Sequence, residues 1–151
     1  MFKRDLVGLR EAQLALEAIF EAASKNPEQP ISVAIVDSHG ELICTARMDG
    51  AIPMFNYMAL KKARTSALLG MDTRAWGEFL QKRGYTTHDF FPDATGVPGG
   101  VAIIRPGEIT SNKRPGEIEA FGGIGVSGRT GNEDEELAKI GFTALQKAVW
   151  G

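Results

Sequence analysis

Two histidines are the side chains in this 151-residue chain best suited to move a proton near neutral pH or to bind a metal, including haem iron. His88 lies in the segment Tyr-Thr-Thr-His-Asp-Phe-Phe, where a carboxylate and aromatic rings accompany it on a loop. His39 lies in a short turn, which favours solvent exposure. We therefore predict His88 as a catalytic acid/base or a ligand. The alternative is a solvated loop anchored by Phe90 and Phe91, which are themselves candidate ligand contacts.

Charged residues predict a second element of the same site. Arg47 and Asp49 end a predicted strand, and Lys62 follows on a predicted helix. If these segments converge, Arg47 and Lys62 could hold a carboxylated ligand while Asp49 acts as an acid or base. The neighbouring Lys61 is better explained as an ordinary lysine on a solvated helix surface.

Glycine is frequent in this chain, with 18 residues, well above the roughly 7% average. The backbone therefore carries no side chain at several positions. Residues 123–128 match the pattern G-x-G-x-x-G, but a dinucleotide fold needs a further strand and the chain ends one helix later. The acidic start of that helix would also repel a pyrophosphate. Gly123, Gly125, Gly99 and Gly100 therefore predict close approach of either a flat ligand or another backbone segment.

Composition excludes several classes of function. A formal charge of −2 without basic runs argues against nucleic-acid binding. The single cysteine, Cys44, permits neither an internal disulfide nor a cysteine-based zinc cluster, and no metal site is predicted. Hydrolase, kinase and metalloprotease signatures are absent from the sequence. No apolar run is long enough for a membrane span and the amino terminus does not resemble a signal peptide, so we expect a cytoplasmic protein.

Periodicity and turn residues predict a single α+β domain over residues 1–151 with an antiparallel sheet. Helices are predicted over 5–25, 53–69, 73–82 and from about Asn132 onward, where Asn132 and Glu135 have the form of a capping box. Strands are predicted over 31–37, 41–47, 101–104 and 120–126. Residues 84–100 form a long loop. Arg-Pro-Gly-Glu-Ile occurs twice, at 105–109 and 114–118, and predicts two type II turns bounding a hairpin extension.

Five segments in this order resemble the GlcG/HbpS family, whose domain also occurs at the carboxyl terminus of PduO-type proteins. They are residues 36–42, 47–51, 62–65, 98–101 and 122–128. The resemblance implies a profilin-like fold with about five antiparallel strands flanked by helices, and assembly into homo-oligomers. Some relatives bind haem, so haem is a possible cofactor, but the family implies no single activity.

His88 lies outside these shared segments, His39 lies in a turn within one of them, and the first helix has no histidine, so no haem ligand is carried over by position. Three hypotheses follow. The chain binds a small molecule, either haem or another flat acidic ligand. It is a small catabolic isomerase, hydratase or hydrolase for a carboxylated metabolite, with the loop 84–97 setting substrate preference. It is an oligomeric accessory protein without a ligand.

Overall fold

Four helices and four strands make up the described part of this computed structural model, which is residues 1–110 and 113–151. The helices are α1 (Leu9–Ala23), α2 (Pro53–Leu69), α3 (Thr73–Arg83) and α4 (Gly131–Trp150). The strands are β1 (Ser32–Asp37), β2 (Leu42–Arg47), β3 (Gly100–Ile103) and β4 (Gly122–Ser127). A 3₁₀ turn, Thr87–Asp89, interrupts the long loop between α3 and β3.

The sheet has the order β2-β1-β4-β3, and every neighbouring pair is antiparallel. The predicted α+β class with an antiparallel sheet flanked by helices is therefore confirmed. The described residues form four strands rather than about five, and two turns lie in the connection from β3 to β4. Those turns follow the two Pro-Gly pairs: Gly107 and Gly116 have φ of 83° and 82°. The amides of Glu108 and Glu117 close them by hydrogen bonds of 3.3 and 3.1 Å.

Local sequence explains most helix ends. Pro53 begins α2 and Gly70 ends it with φ of 66°, as its spacing predicts. The start of α4 differs from the prediction by two positions, because the hydroxyl of Thr130 caps the helix and accepts from the Glu133 amide at 3.2 Å. Glu135, the expected capping partner, instead pairs with Arg74 at 2.8 Å.

Helices cover both faces of the sheet. On one face α1 and α4 enclose the main core with the alternate residues Val33, Ile35, Ile124 and Val126. On the other face α2 lies across β1, β3 and β4. No helix within the described ranges is long and apolar enough to cross a membrane.

Candidate functional site

The glycines of β4 lie directly under α2. A Cβ atom built on Gly125 would overlap the Ala59 carbonyl oxygen, and one built on Gly123 would overlap the Ala63 carbonyl oxygen. Ala59 and Ala63 are fully buried, so helix and strand touch backbone to backbone. We call this contact the α2 seam. Of the two alternatives that the sequence leaves open, the geometry favours backbone packing, because α2 fills the space that a flat ligand would need.

Lys62 lies at one end of the α2 seam, in the interior of the protein. Its ammonium group is 3.1 Å from Asp134 Oδ2 and donates to the Val126 carbonyl oxygen at 2.8 Å, and both charged side chains are 2% exposed. Burial lowers the pKa of Lys62 and raises the pKa of Asp134, although each charge opposes the other's shift. The pair joins α2 to β4 and α4. The Lys62 ammonium group is therefore already paired with another residue of the fold, Asp134.

Gly99 and Gly100 make room for this lysine. A Cβ on Gly99 would come within 2.8 Å of Lys62 Nζ, and one on Gly100 would overlap the Lys62 carbonyl group. The structure thus brings together three predicted site residues, Lys62, Gly99 and Gly100, but inside the fold and against each other. Their role as ligand contacts stays a prediction.

Arg47 and Asp49 lie elsewhere. Both are exposed at the end of β2, which is one edge of the sheet. His88 follows α3, which packs beside β3 at the opposite edge. Because neighbouring strands are about 4.8 Å apart, most of the sheet's width separates the two groups. A single site containing Arg47, Asp49 and His88 is therefore not assembled within one copy of the chain.

His88 is exposed on the 3₁₀ turn. The adjacent carboxylate of Asp89 accepts from the Thr86 amide at 2.8 Å, so it stabilises the turn rather than orienting the imidazole ring. Phe90 packs edge-on against Trp76, with ring centroids 4.8 Å apart, and against Tyr85 at 5.8 Å. Phe91 is half-buried. His39 is exposed in the β1–β2 turn.

A cleft opens between α3 and the β3–β4 connection, next to these aromatic rings. It consists of an inner cavity of about 450 Å³ and an open outer part of about 730 Å³, which share Phe79, Arg83 and Arg114. We call it the α3 cleft. Its outer part is also lined by Tyr85 and Phe90. Both volumes are in the range of ligand sites, about 300–1,000 Å³.

Cations and rings face the α3 cleft together. The guanidinium group of Arg83 lies 3.7 Å from the Phe79 ring centroid. Lys82 and Lys113 line the inner cavity as well. Arg114 pairs with Glu117 at 2.9 Å on the exposed rim. The described lining of the cleft has four cations and three acids, Asp72, Glu78 and Glu117, so flat apolar surfaces lie beside a small excess of positive charge, which suits a flat anionic ligand.

Asp72 lines the inner cavity, as does one further acidic residue, Glu78. Asp72 Oδ1 accepts from the Ala102 amide at 3.0 Å, and the Thr73 hydroxyl accepts from the Gly100 amide at 3.0 Å. These two side chains close the outer edge of β3. Burial raises the pKa of Asp72, so its carboxyl group is protonated more readily than an exposed one.

Asp72, Phe79 and Arg83 were not predicted from the sequence. Asp-Thr before a helix is typical of an N-cap, but here the Asp72 carboxylate bonds to β3 and makes no cap to α3. Asp72, Phe79 and Arg83 line one cavity because α3 packs beside β3, and the local sequence does not reveal that packing. Within the described ranges, no group of three or more His, Cys, Asp or Glu side chains could hold a metal ion.

Comparisons with known proteins agree with this architecture. A family model described as haem degrading protein HbpS-like matches residues 7–143. Protein GlcG of Escherichia coli strain K12 is 34% identical over 107 residues, covering 71% of this chain and 70% of GlcG. The corrinoid adenosyltransferase PduO of Salmonella typhimurium strain LT2 is 28% identical over 137 residues, which are 86% of this chain and 37% of PduO.

Solved structures share the fold. A double mutant of Streptomyces reticuli HbpS has a TM-score of 0.75 and 30% identity, with 100% of this chain and 91% of that chain covered. The crystal structure of a complex of PduOC with haem has a TM-score of 0.75 and 24% identity, covering 92% of this chain and 94% of that chain. At that identity the second likeness shows the fold alone.

Proposed function

Because this chain belongs to the family of haem degrading protein HbpS-like, with GlcG among its relatives, we propose that it binds haem or a related flat acidic molecule in the α3 cleft. The family membership confirms the resemblance predicted from the sequence. The observation that carries the location is the combination of aromatic rings and cations in one cleft. The region first predicted, along the glycines of β4, is filled by α2.

The residues of the α3 cleft fit such a group in shape and in charge. Phe79, Tyr85 and Phe90 offer apolar ring surfaces that a planar macrocycle can pack against. Arg83 and Arg114 offer guanidinium donors for its carboxylates, and charge-assisted bonds of this kind are strong. When bound, haem would supply redox and oxygen chemistry, while the protein side chains hold and orient it.

Tyr85 is the residue of the α3 cleft that we assign to the iron. Tyr85 would hold the iron of a bound haem, because tyrosine is one of the ligands that proteins use for haem iron and Tyr85 lines the outer part of the cleft while remaining 54% exposed. His88, the ligand predicted from the sequence, follows three residues later and is also exposed. Substituting Tyr85 and His88 one at a time distinguishes the two assignments.

Titration with haemin tests the proposal. We expect a saturable Soret band at one haemin per chain, weakened and shifted in Tyr85→Phe and little changed in His88→Ala. Loss in His88→Ala alone would move the ligand to His88. Arg47→Gln is the matched control, because Arg47 is an exposed cation at the opposite sheet edge. A weak signal that never saturates and is the same in every variant would overturn haem binding.

The position of Asp72 favours a second candidate function, an acid/base enzyme for a small carboxylated metabolite. A carboxyl group with a raised pKa lies in the same cavity as Lys82 and Arg83, which could hold a substrate carboxylate. Asp72→Asn keeps an oxygen acceptor for the Ala102 amide but removes the proton transfer. In a screen of carboxylated metabolites, turnover that Asp72→Asn abolishes without loss of folding would support the enzyme.

Exposed apolar residues support self-association. Ile52, Met54 and Tyr57 are 49%, 57% and 74% exposed at the start of α2, and Leu42 of the edge strand β2 is 49% exposed. Large exposed apolar surfaces commonly mark contacts between proteins. We expect light scattering to give a homo-oligomer mass that falls in Tyr57→Glu. A monomer at micromolar concentration would contradict this.

A further inference from the structure

A second cavity, of about 350 Å³, lies between the segment before α1 and the end of α4, and shares no lining residue with the α3 cleft. Most of its wall is apolar, and Arg105 is the one cation that lines it among the described residues. Leu145 is fully buried and Phe121 is 7% exposed, whereas Leu6 and Val149 are 45% and 46% exposed. The floor thus belongs to the core, while apolar surface remains uncovered at the rim.

Arg105 is held against the aromatic part of this wall. Its guanidinium carbon lies 5.0 Å from the Phe121 ring centroid, and that ring packs against Trp150 with centroids 5.6 Å apart. The Asp5 carboxylate oxygen Oδ2 is 3.9 Å from Arg105 Nη2, and the Asp5 side chain is 84% exposed. A contact of this length in solvent contributes little, so the guanidinium donors are available to a better acceptor.

The neighbouring acids already have partners. Glu119 pairs with Arg4 at 3.0 Å, and the Glu11 carboxylate accepts from the Gly8 amide at 3.0 Å at the start of α1. Asp5 is therefore the acid that competes for Arg105. An arriving carboxylate would have to displace only that loose contact.

We infer that this cavity binds a hydrophobic monocarboxylate of medium length, such as a medium-chain fatty acid. Its carboxylate takes the place of Asp5 at Arg105, where planar guanidinium geometry allows two parallel hydrogen bonds. Its alkyl chain covers Phe121, Leu145 and Trp150 and removes the exposed rim from water. The volume, about 350 Å³, is at the small end of ligand sites, which suits a ligand of this size.

Calorimetry with octanoate on the full chain tests the site, with 1-octanol as the uncharged probe of equal length. We expect one octanoate per chain, a change in Trp150 fluorescence, and 1-octanol binding at least about tenfold weaker. Arg105→Gln should lower octanoate affinity by about tenfold or more, whereas Arg105→Lys should retain part of it. Asp5→Asn should tighten binding, because it removes the competing carboxylate.

Arg114→Gln is the matched control, since it removes an arginine from the α3 cleft and should leave octanoate binding unchanged. Circular dichroism would show that each variant is folded. Equal affinity for octanoate and 1-octanol, unchanged affinity in Arg105→Gln, or no binding at millimolar octanoate would each overturn the inference. Haemin binding is independent of these outcomes, because the two cavities have no residue in common.

Discussion

The α2 seam combines glycines with a lysine, and the α3 cleft combines aromatic residues with arginines. Helix α2 fills the space at the seam, whereas the cleft is open. In the seam, Lys62 is 2% exposed and bonded to Asp134. In the cleft, Arg83 lies over Phe79 beside an open cavity. Residue types that suit ligand binding thus serve packing where a partner element lies directly above them. Free space decides the difference.

Breaking the buried ion pair should have the largest effect on stability. Lys62→Met leaves the Asp134 carboxylate buried without its partner, so we expect a loss of about 3–5 kcal/mol in the free energy of unfolding, measured in urea. The double variant Lys62→Met/Asp134→Asn should recover much of this loss. Equal stability of Lys62→Met and wild type would mean that Lys62 is not a structural residue.

Adding one methyl group to a β4 glycine tests whether any space remains between β4 and α2 in the α2 seam. Gly125→Ala places a Cβ against the Ala59 carbonyl oxygen, so we expect a loss of about 3 kcal/mol or more. Gly107→Ala is the control, because that glycine has open space around it and only its φ of 83° is unfavourable, at about 1–2 kcal/mol. A neutral Gly125→Ala would indicate spare room under α2.

Removing charge from the α3 cleft should affect affinity instead of stability. Arg83→Gln/Arg114→Gln should weaken haemin binding by about tenfold or more, since each tenfold corresponds to about 1.4 kcal/mol. The melting temperature should change little because both arginines border solvent. Unchanged haemin affinity would place the carboxylates of the ligand elsewhere.

The pH dependence of stability should show the smallest effect. Burial raises the pKa of Asp72 in the folded protein above its value in the unfolded chain, so the folded state binds the proton more tightly. Its favourable contribution is present at low pH and is lost as the pH rises through the folded pKa. Asp72→Asn should therefore gain stability relative to wild type as the pH rises from about 3.5 to 7, in thermal melts at matched ionic strength. A constant difference across this range would contradict it.

Much of the fold could be predicted because its signals are local. Pro53, Gly70 and the two Pro-Gly pairs determine helix ends and turns within a few residues. The predicted start of α4 was wrong by two positions because Thr130 and Asn132 are both suitable capping residues, each followed by an acidic residue. Local sequence also does not show that Asn132 and Glu135 bond to Arg74, which lies on α3.

The site was harder to predict because its contacts are distant in sequence. Lys62 and Asp134 are 72 positions apart, so no local pattern reveals that the lysine is paired. Glycine at positions 123 and 125 indicates only that something lies close, without distinguishing helix from ligand. Asp72 acquires its environment from β3, 30 residues later.

Paramagnetic broadening of amide signals by haemin is the measurement that tests the central claim most directly. With zinc protoporphyrin as the diamagnetic reference, we predict that signals from α3 and the residues around Tyr85, Phe90 and Arg114 broaden at equimolar haemin. Signals from β2, including Arg47, should remain sharp. Selective broadening at β2 with unchanged signals around the α3 cleft would contradict the account and return the ligand to the site predicted from the sequence.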